Sequence, residues 1–338
     1  MIADGWRQLK ARRPWVRWLA TWGLSLVSLA SGILTLSLFR RGLEYFPWVV
    51  GYLLLLWLAG VVFAEAREAL EARGRRLMRV AYDYTLQSLY WHLLLFLLPI
   101  YYASTTLDSR NVISLGTLGA ATLLTAVDPW YRATVLRSRW RYALMFGYTL
   151  FVTLLVALPL VGVRSGGALI LAAAASMVAL APTARRSFRL SWRTASLAAI
   201  LAGTCAALLV WIARGWIPPV PLQLVRGTFA RDVSALEPVS PVSRLPIDEA
   251  RVWGVLACFT ALAAPAGLQE PVLHVWRKDG ATLARVPLTP VLGARPGGFR
   301  THSRLTGLGA DPAGSWRVDV LTAHGQLIGR VHLAVLRE

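Results

Sequence analysis

Residues 194–213, TASLAAILAGTCAALLVWIA, contain no charged side chain. The run is about long enough to cross a bilayer, which takes roughly 20 apolar residues. Arg185, Arg186, Arg189 and Arg193 precede it, and Arg214-Gly-Trp-Ile-Pro-Pro-Val-Pro221 follows. Upstream, apolar blocks alternate with arginine loops. Downstream, the pattern is that of short strands. The stretch therefore reads as the last crossing of a helical membrane domain, and it decides on which side of the bilayer the remaining residues lie.

The composition agrees with that reading. Only 16% of the 338 residues are charged, 56% are hydrophobic, and the mean hydropathy is +0.52. Soluble domains carry about a quarter charged residues, so the deficit argues for an integral membrane protein. A formal net charge of +19 raises the question of nucleic acid. The placement of the charge answers it. Residues 1–213 hold 22 of the 36 Lys+Arg and 8 of the 17 Asp+Glu, and the excess sits in loops between apolar segments. That is the positive-inside pattern, not a nucleic-acid groove. All basic residues except Lys10 and Lys278 are arginine, as a GC-rich bacterial genome would encode. Cys205 and Cys258 lie in different regions and show no metal or redox spacing, so no disulfide, metal or cofactor is expected.

Seven apolar spans are expected, near residues 18–39, 45–64, 86–104, 111–127, 143–163, 167–182 and 194–213. The first follows a basic region from Arg7 to Arg17 and is too long for a signal-peptide core, so it reads as an uncleaved span. The fourth and sixth are short enough to be tilted, re-entrant or paired as a tight hairpin. A turn at Arg164-Ser-Gly-Gly167 divides the fifth from the sixth. Loops on one side (the N-terminus, 65–87, 128–142 and 183–193) carry 18 basic residues, and the alternate loops carry four, namely Arg40, Arg41, Arg110 and Arg164. The bias places the N-terminus in the cytoplasm and, after seven crossings, the C-terminal part outside it. Residues 1–214 are thus expected to be a seven-helix transmembrane domain.

Pro218, Pro219 and Pro221 stiffen residues 215–227 as a linker, and residues 237–246 read as a second proline-rich link. Period-two alternation predicts strands over 228–236, 251–262, 272–277, 282–291, 299–304, 315–322 and 327–336. In Trp316-Arg-Val-Asp-Val320, for example, Trp316, Val318 and Val320 share one face. Turn signals such as Lys278-Asp279-Gly280 and Asp311-Pro312-Ala313-Gly314 fall between these runs. Seven short strands in residues 228–338 fit an all-β, Ig-like antiparallel sandwich.

Arg251-Val-Trp-Gly-Val-Leu-Ala-Cys-Phe-Thr260, His274-Val-Trp276, Arg300-Thr-His-Ser303 and Gly314-Ser-Trp-Arg-Val-Asp-Val320 resemble a family of uncharacterised bacterial envelope domains, a domain of unknown function found after membrane spans. The resemblance covers residues 232–336. It implies a bacterial origin and an extracytoplasmic β domain, and it brings no activity, cofactor or catalytic residue to carry over.

Candidate chemistry is sparse. His92 and Asp128 are ionisable residues at membrane depth, where charge is costly and function is the default hypothesis. The plainer readings are an imidazole bonded within the bundle and an Asp128–Arg132 pair or helix cap. Small residues such as Ala195, Ala199, Gly203 and Ala206 mark a close helix-packing face. The arginine loops 74–79 and 185–189 either fix topology or recruit anionic lipid. Trp253, His274, Trp276, Arg300, His302 and Trp316 either build the sandwich core or form an aromatic platform with polar contacts for a glycan or envelope protein. No catalytic constellation stands out, because no nucleophile elbow or phosphate-cradling glycine loop is present. The expected function is a non-enzymatic inner-membrane scaffold or sensor whose periplasmic β domain binds an envelope component. The alternative is a transporter with a path lined by His92.

Overall fold

The computed structural model describes residues 76–337. The spans expected at 18–39 and 45–64 lie outside the described residues. The N-terminal part of what is described is helical: α1 (Arg76–Ala103), α2 (Val112–Ala126), α3 (Asp128–Thr134), α4 (Arg139–Leu160), α5 (Ser165–Val178), α6 (Ala181–Phe188) and α7 (Trp192–Ile212). Among the described residues, four stretches are long and apolar enough to cross a membrane: Asp83–Ala103, Arg139–Leu160, Ser165–Phe188 and Trp192–Ile212. A fifth is reached if α2 and α3, bent by 103°, count as one span. The bend falls at Asp128-Pro129, with Val127 extended and the proline in the first turn of α3. Proline cannot continue the preceding helix but is well suited to start the next one.

All five spans expected after residue 80 fall on these helices. One boundary differs. The turn expected at residues 164–167 lies at 161–164, and α5 already begins at Ser165. Glycines in a first helical turn mark a turn in sequence without preventing the helix.

By contact density the chain divides into two compact units. Of the described residues, one gathers those up to Pro99 with Gly116–Thr153 and Ala174–Gly203; the other gathers Ile100–Leu115, Leu154–Ala173 and those from Thr204 onward. In the first, α7 meets α5 through a narrow stripe. Ala195, Ala199 and Gly203 are buried, while Leu197 and Leu201 on the same stretch of α7 are exposed. A methyl group added at Gly203 would lie 3.2 Å from the Ala174 carbonyl oxygen, a contact tight enough that the facing backbone would have to give by a few tenths of an ångström. The small-residue face expected on this helix is therefore a packing seam, and the remainder of α7 is an open apolar surface.

The second unit holds the β domain: β1 (Gln223–Ser234), β2 (Glu237–Val242), β3 (Arg244–Pro246), α8 (Ile247–Trp253), β4 (Val255–Ala263), β5 (Gln269–Glu270), β6 (Val272–Lys278), β7 (Ala281–Pro287), β8 (Val291–Leu292), β9 (Phe299–Thr306), β10 (Gly314–Thr322) and β11 (Leu327–Leu336). One sheet runs β2-β1-β4-β9 and a second β3-β11-β10-β6-β7, with a small β5-β8 pair. All pairings are antiparallel except β3 with β11. The two large sheets share a core in which Phe229, Leu256 and Cys258 meet Trp276, Trp316, Val318, Val331 and Leu333. Phe229 stands edge-on to Trp276, with ring centroids 5.6 Å apart.

Two expectations are corrected here. The run at 237–246, read as a link from its prolines, is β2 and β3. Both are edge strands, where a missing N–H leaves no ladder bond unmade. The strand expected over 251–262 begins only at Val255. Residues 247–253 form α8 instead, ended by Gly254 in the left-handed conformation that glycine accepts readily.

The outer face of the first sheet is also covered. Ala257, Phe259 and Ala261 are buried there with Val233. Arg304 pairs with Asp232 at 2.6 Å and donates to the Val233 carbonyl at 3.1 Å. Arg300 pairs with Glu237, and Arg226 lies over the Phe259 ring. The β1–β2 end is thus clamped to β9 by arginines.

Candidate functional site

The second unit brings three helix ends onto the β domain, and each junction is made by specific polar side chains. At the first, residues 104–111 leave α1 for α2. Asn111, fully buried, accepts from the Thr106 amide at 3.2 Å and donates through Nδ2 to the Leu327 carbonyl at 3.2 Å. Beside it Arg330 on β11 donates to the Asp108 carboxylate at 2.9 Å and to the Asp108 carbonyl at 3.1 Å. The Arg330 Nε donates to Asp319 at 2.6 Å, and Arg277 reaches the same buried carboxylate at 3.1 Å. His332 lies 3.3 Å from Asp108. Burial alone would raise the Asp108 pKa, but the hydrogen bond and charge of Arg330, with His332, outweigh it and hold the carboxyl below its usual value.

At the second junction Glu270 on β5, fully buried, accepts the Ser165 amide at 2.9 Å. Ser165 is the first residue of α5, so a carboxylate from the β domain caps that helix. Both the orphan amide and the helix dipole favour an anion at this end.

At the third, the turn after β10 meets the end of α7. The His324 ring lies 5.2 Å from the Trp211 ring, and Arg214 Nε donates to the His324 carbonyl at 2.5 Å. Gln326 donates to the Ile217 carbonyl at 3.2 Å. A side chain at Gly166 would collide with the His324 ring, with only 2.4 Å to Cδ2.

The residues singled out in the sequence fall elsewhere. His274, Trp276 and Trp316 are fully or almost fully buried. Trp276 Nε1 donates to Ser303 Oγ at 2.9 Å, His274 Nδ1 meets the same hydroxyl at 2.8 Å, and His274 Nε2 meets Thr260 Oγ1 at 3.1 Å. Burial, with a small contribution from His302, lowers the His274 pKa to about 3, so the ring is neutral. These residues form a polar pin inside the core, and their ring faces are closed to a ligand. Arg300 and His302 lie on β9 opposite Ala261 and Phe259, on the other side of that sheet. Trp253 ends α8 and packs, half-buried, on the main core. The six residues do not converge on one surface.

In the first unit Asp128 pairs with Arg132 at 3.0 Å, the structural pairing expected of it. His92 Nδ1 contacts the Ser88 carbonyl at 2.7 Å, one turn back on α1. Among the described residues, no three His, Cys, Asp or Glu side chains come together to hold a metal.

The junction residues Asp108, Asn111, Glu270, His324 and Arg330 were not singled out by sequence reasoning. A signal existed for Asp108 and Asn111, because Leu-Asp-Ser-Arg-Asn111 is a polar island between two apolar spans. Glu270 carried none.

Two family models match the chain. One, described as a protein of unknown function (DUF2914), covers residues 269–335. The other covers residues 7–257. No curated protein matches. Because the second model spans well over half of the sequence, the chain belongs to the family of unknown function DUF5924.

Proposed function

We propose that the protein is a bacterial inner-membrane protein with seven crossings and a cytoplasmic N-terminus. Its β domain, an Ig-like sandwich outside the cytoplasm, binds an envelope component or partner protein, and the protein has no catalytic role. The arginine bias between alternate loops supports the orientation. The strand order supports the Ig-like reading. With β4, β6, β9, β10 and β11 taken as strands B, C, E, F and G, β1-β4-β9 corresponds to A-B-E and β11-β10-β6 to G-F-C. Trp276 then falls on strand C, where Ig domains carry a buried tryptophan, and Cys258 on strand B, both in the same buried cluster.

The observation that carries the functional reading is the triple junction. The Asp108–Arg330, Ser165–Glu270 and Arg214–His324 contacts make the β domain and three helix ends one compact unit. A domain rooted in this way transmits a change at its surface into the helices, as a sensor or scaffold requires. Co-purification of the intact protein in mild detergent, with partners identified by mass spectrometry, tests it. The expected result is an envelope protein or glycan that is lost when Asp108 and Glu270 are both replaced by Ala. Recovery of bulk lipid alone overturns the binding role. Reporter activity from the cytoplasm on a fusion at Glu338 overturns the topology.

A further inference from the structure

Glu270 and Ser165 meet at the start of α5 with more acceptors than donors. The Ser165 amide donates to one carboxylate oxygen, Oε2, at 2.9 Å. The other oxygen, Oε1, is buried and has no hydrogen-bond partner among the described residues, and neither has the Ser165 hydroxyl. Glu270 is 0% exposed and Ser165 4%, so bulk solvent does not reach the pair.

Three observations define what the site takes. The first is charge. A buried carboxylate is ordinarily paired with a cationic side chain or coordinates a metal. Among the described residues no Lys, Arg or His makes an ion pair with Glu270. Arg164 precedes Ser165 in sequence and His324 stands against Gly166, yet both are exposed. The second is the kind of donor. A carboxylate and a hydroxyl offer oxygen alone, the ligand of hard cations and not of zinc or copper. The turn at 322–326 touches the residue that follows each of the two. The Ala323 amide donates to the Pro271 carbonyl at 2.9 Å, and the His324 ring lies against Gly166. That turn carries Gln326, 1% exposed, whose Oε1 likewise has no hydrogen-bond partner among the described residues. The third is valence. One carboxylate supplies one negative charge, which a monovalent ion neutralises. A divalent ion would leave a net positive charge buried beside the positive end of α5, where it is doubly unfavourable.

We propose that Glu270 Oε1 and Ser165 Oγ hold a monovalent metal cation, sodium or potassium, which fastens β5 to the start of α5. The Oε2 bond to the helix amide stays as it is, so one carboxylate serves the helix end and the ion on its two oxygens. The site goes beyond the binding of an envelope component and does not rest on it.

The test measures binding of radiolabelled sodium, and of radiolabelled rubidium as the potassium analogue, to the intact protein in neutral detergent. Choline chloride holds the ionic strength constant, and equilibration is long because the site is closed. Saturable binding of at least one label, at about one ion per chain and not displaced by choline, is expected from the single carboxylate. The tighter label assigns the ion, and equal affinity assigns a site open to both. Glu270→Gln keeps the shape but removes the charge, and should bind about tenfold or more weakly, since a lost charged contact is a factor of that order. Glu249→Gln removes the same charge at an exposed position on α8 and should leave binding unchanged. In thermal unfolding, each tenfold rise of the cation above its dissociation constant should raise the wild-type melting temperature by about 3–6 °C over choline, and that of Glu270→Gln by less. If Glu270→Gln does not fold, Ser165→Ala removes one hydroxyl alone and should also bind more weakly. Three results overturn the proposal: no saturable binding of either label by the wild type, unchanged affinity in the folded Glu270→Gln or Ser165→Ala variant, or equal weakening in Glu249→Gln.

Discussion

His274 should make the β domain acid-sensitive from about pH 6.5 downward, starting above the ordinary carboxylate range. Its ring is held between the Ser303 and Thr260 hydroxyls and is fully buried. Burial, helped by His302, lowers its pKa from 6.5 to about 3. In the unfolded chain the imidazole takes up a proton near pH 6.5, whereas in the folded chain it stays neutral until about pH 3. The unfolded state therefore binds the extra proton between those values, and stability falls as pH falls through that range. Each pH unit below the ordinary value is worth about 1.4 kcal/mol, so at pH 5 the folded state has lost about 2 kcal/mol. For a domain of this size that corresponds to a drop in melting temperature of about 8 °C. The assay is thermal unfolding of the intact protein in detergent at pH 7.5 and pH 5, followed by tryptophan fluorescence, for the wild type and His274→Asn. Asparagine keeps one donor and one acceptor but does not titrate. The variant should start less stable, because it leaves a small cavity, and should lose about 2 kcal/mol less between the two pH values. Other titrating groups are common to both proteins and cancel in that difference. Equal losses in the two proteins would refute a neutral, buried His274.

The Asp319 centre should show a hierarchy set by burial. Asp319→Ala strands Arg330 and Arg277 around a site almost closed to water and should cost about 3–5 kcal/mol, whereas Asp108, half-exposed, should cost about 1 kcal/mol or less when replaced by Ala; thermal unfolding of each variant ranks them. Because the Asp108 pKa is lowered in the folded protein, its contribution is present above the ordinary carboxylate value and disappears as pH falls through the folded one; the Asp108→Ala difference, measured by the same melts, should vanish in strong acid. Gly203→Ala should destabilise by about 1–3 kcal/mol, because the new methyl meets the Ala174 backbone; thermal unfolding of the variant measures it. A fragment starting at residue 269 should remain unfolded by circular dichroism, while one starting at residue 219 should show β structure, because only the longer fragment contains β1 and β4.

Much of the architecture was legible in the sequence because it rests on periodicity. Apolar runs of about twenty residues place helices, and Trp316-Arg-Val-Asp-Val320 alternates as β10 does. Misreadings came where local chemistry has two structural uses. Pro238 and Pro241 read as linker residues because proline cannot donate, yet an edge strand needs no donor on its open side. Arg251-Val-Trp253 continues the apolar run of β4 in sequence, but Gly254 turns the chain and leaves those residues helical. For the tryptophans and histidines a core and a surface-platform reading both stood, because composition does not report burial. The ring of His274 is as polar as that of His302, and only the fold puts one in the core and the other on the outer sheet face. The junctions were the least visible, since Asn111 and Leu327 are joined by one hydrogen bond across most of the chain. No local pattern encodes such a pairing.

The two family matches divide the chain where the fold does not. The first ends at residue 257, inside β4, and the second begins at residue 269, at β5. Yet Phe229, Leu245 and Leu256 from the first segment and Trp276, Trp316, Val331 and Leu333 from the second lie in one core. Neither segment closes that core alone. The second lacks β1, β2 and β4, which are three of the four strands in the first sheet, and the first has no partner for the inner face of those strands. The junctions follow the same logic. Asp108, Asn111, Ser165 and Arg214 come from the first segment, whereas Arg330, Leu327, Glu270 and His324 come from the second. Each polar bond between β domain and helix end therefore also joins the two matched segments. In this chain the β domain is the product of both, and separating it from the helices costs the capped end of α5, the Asp108 ion pair and the Trp211–His324 contact together.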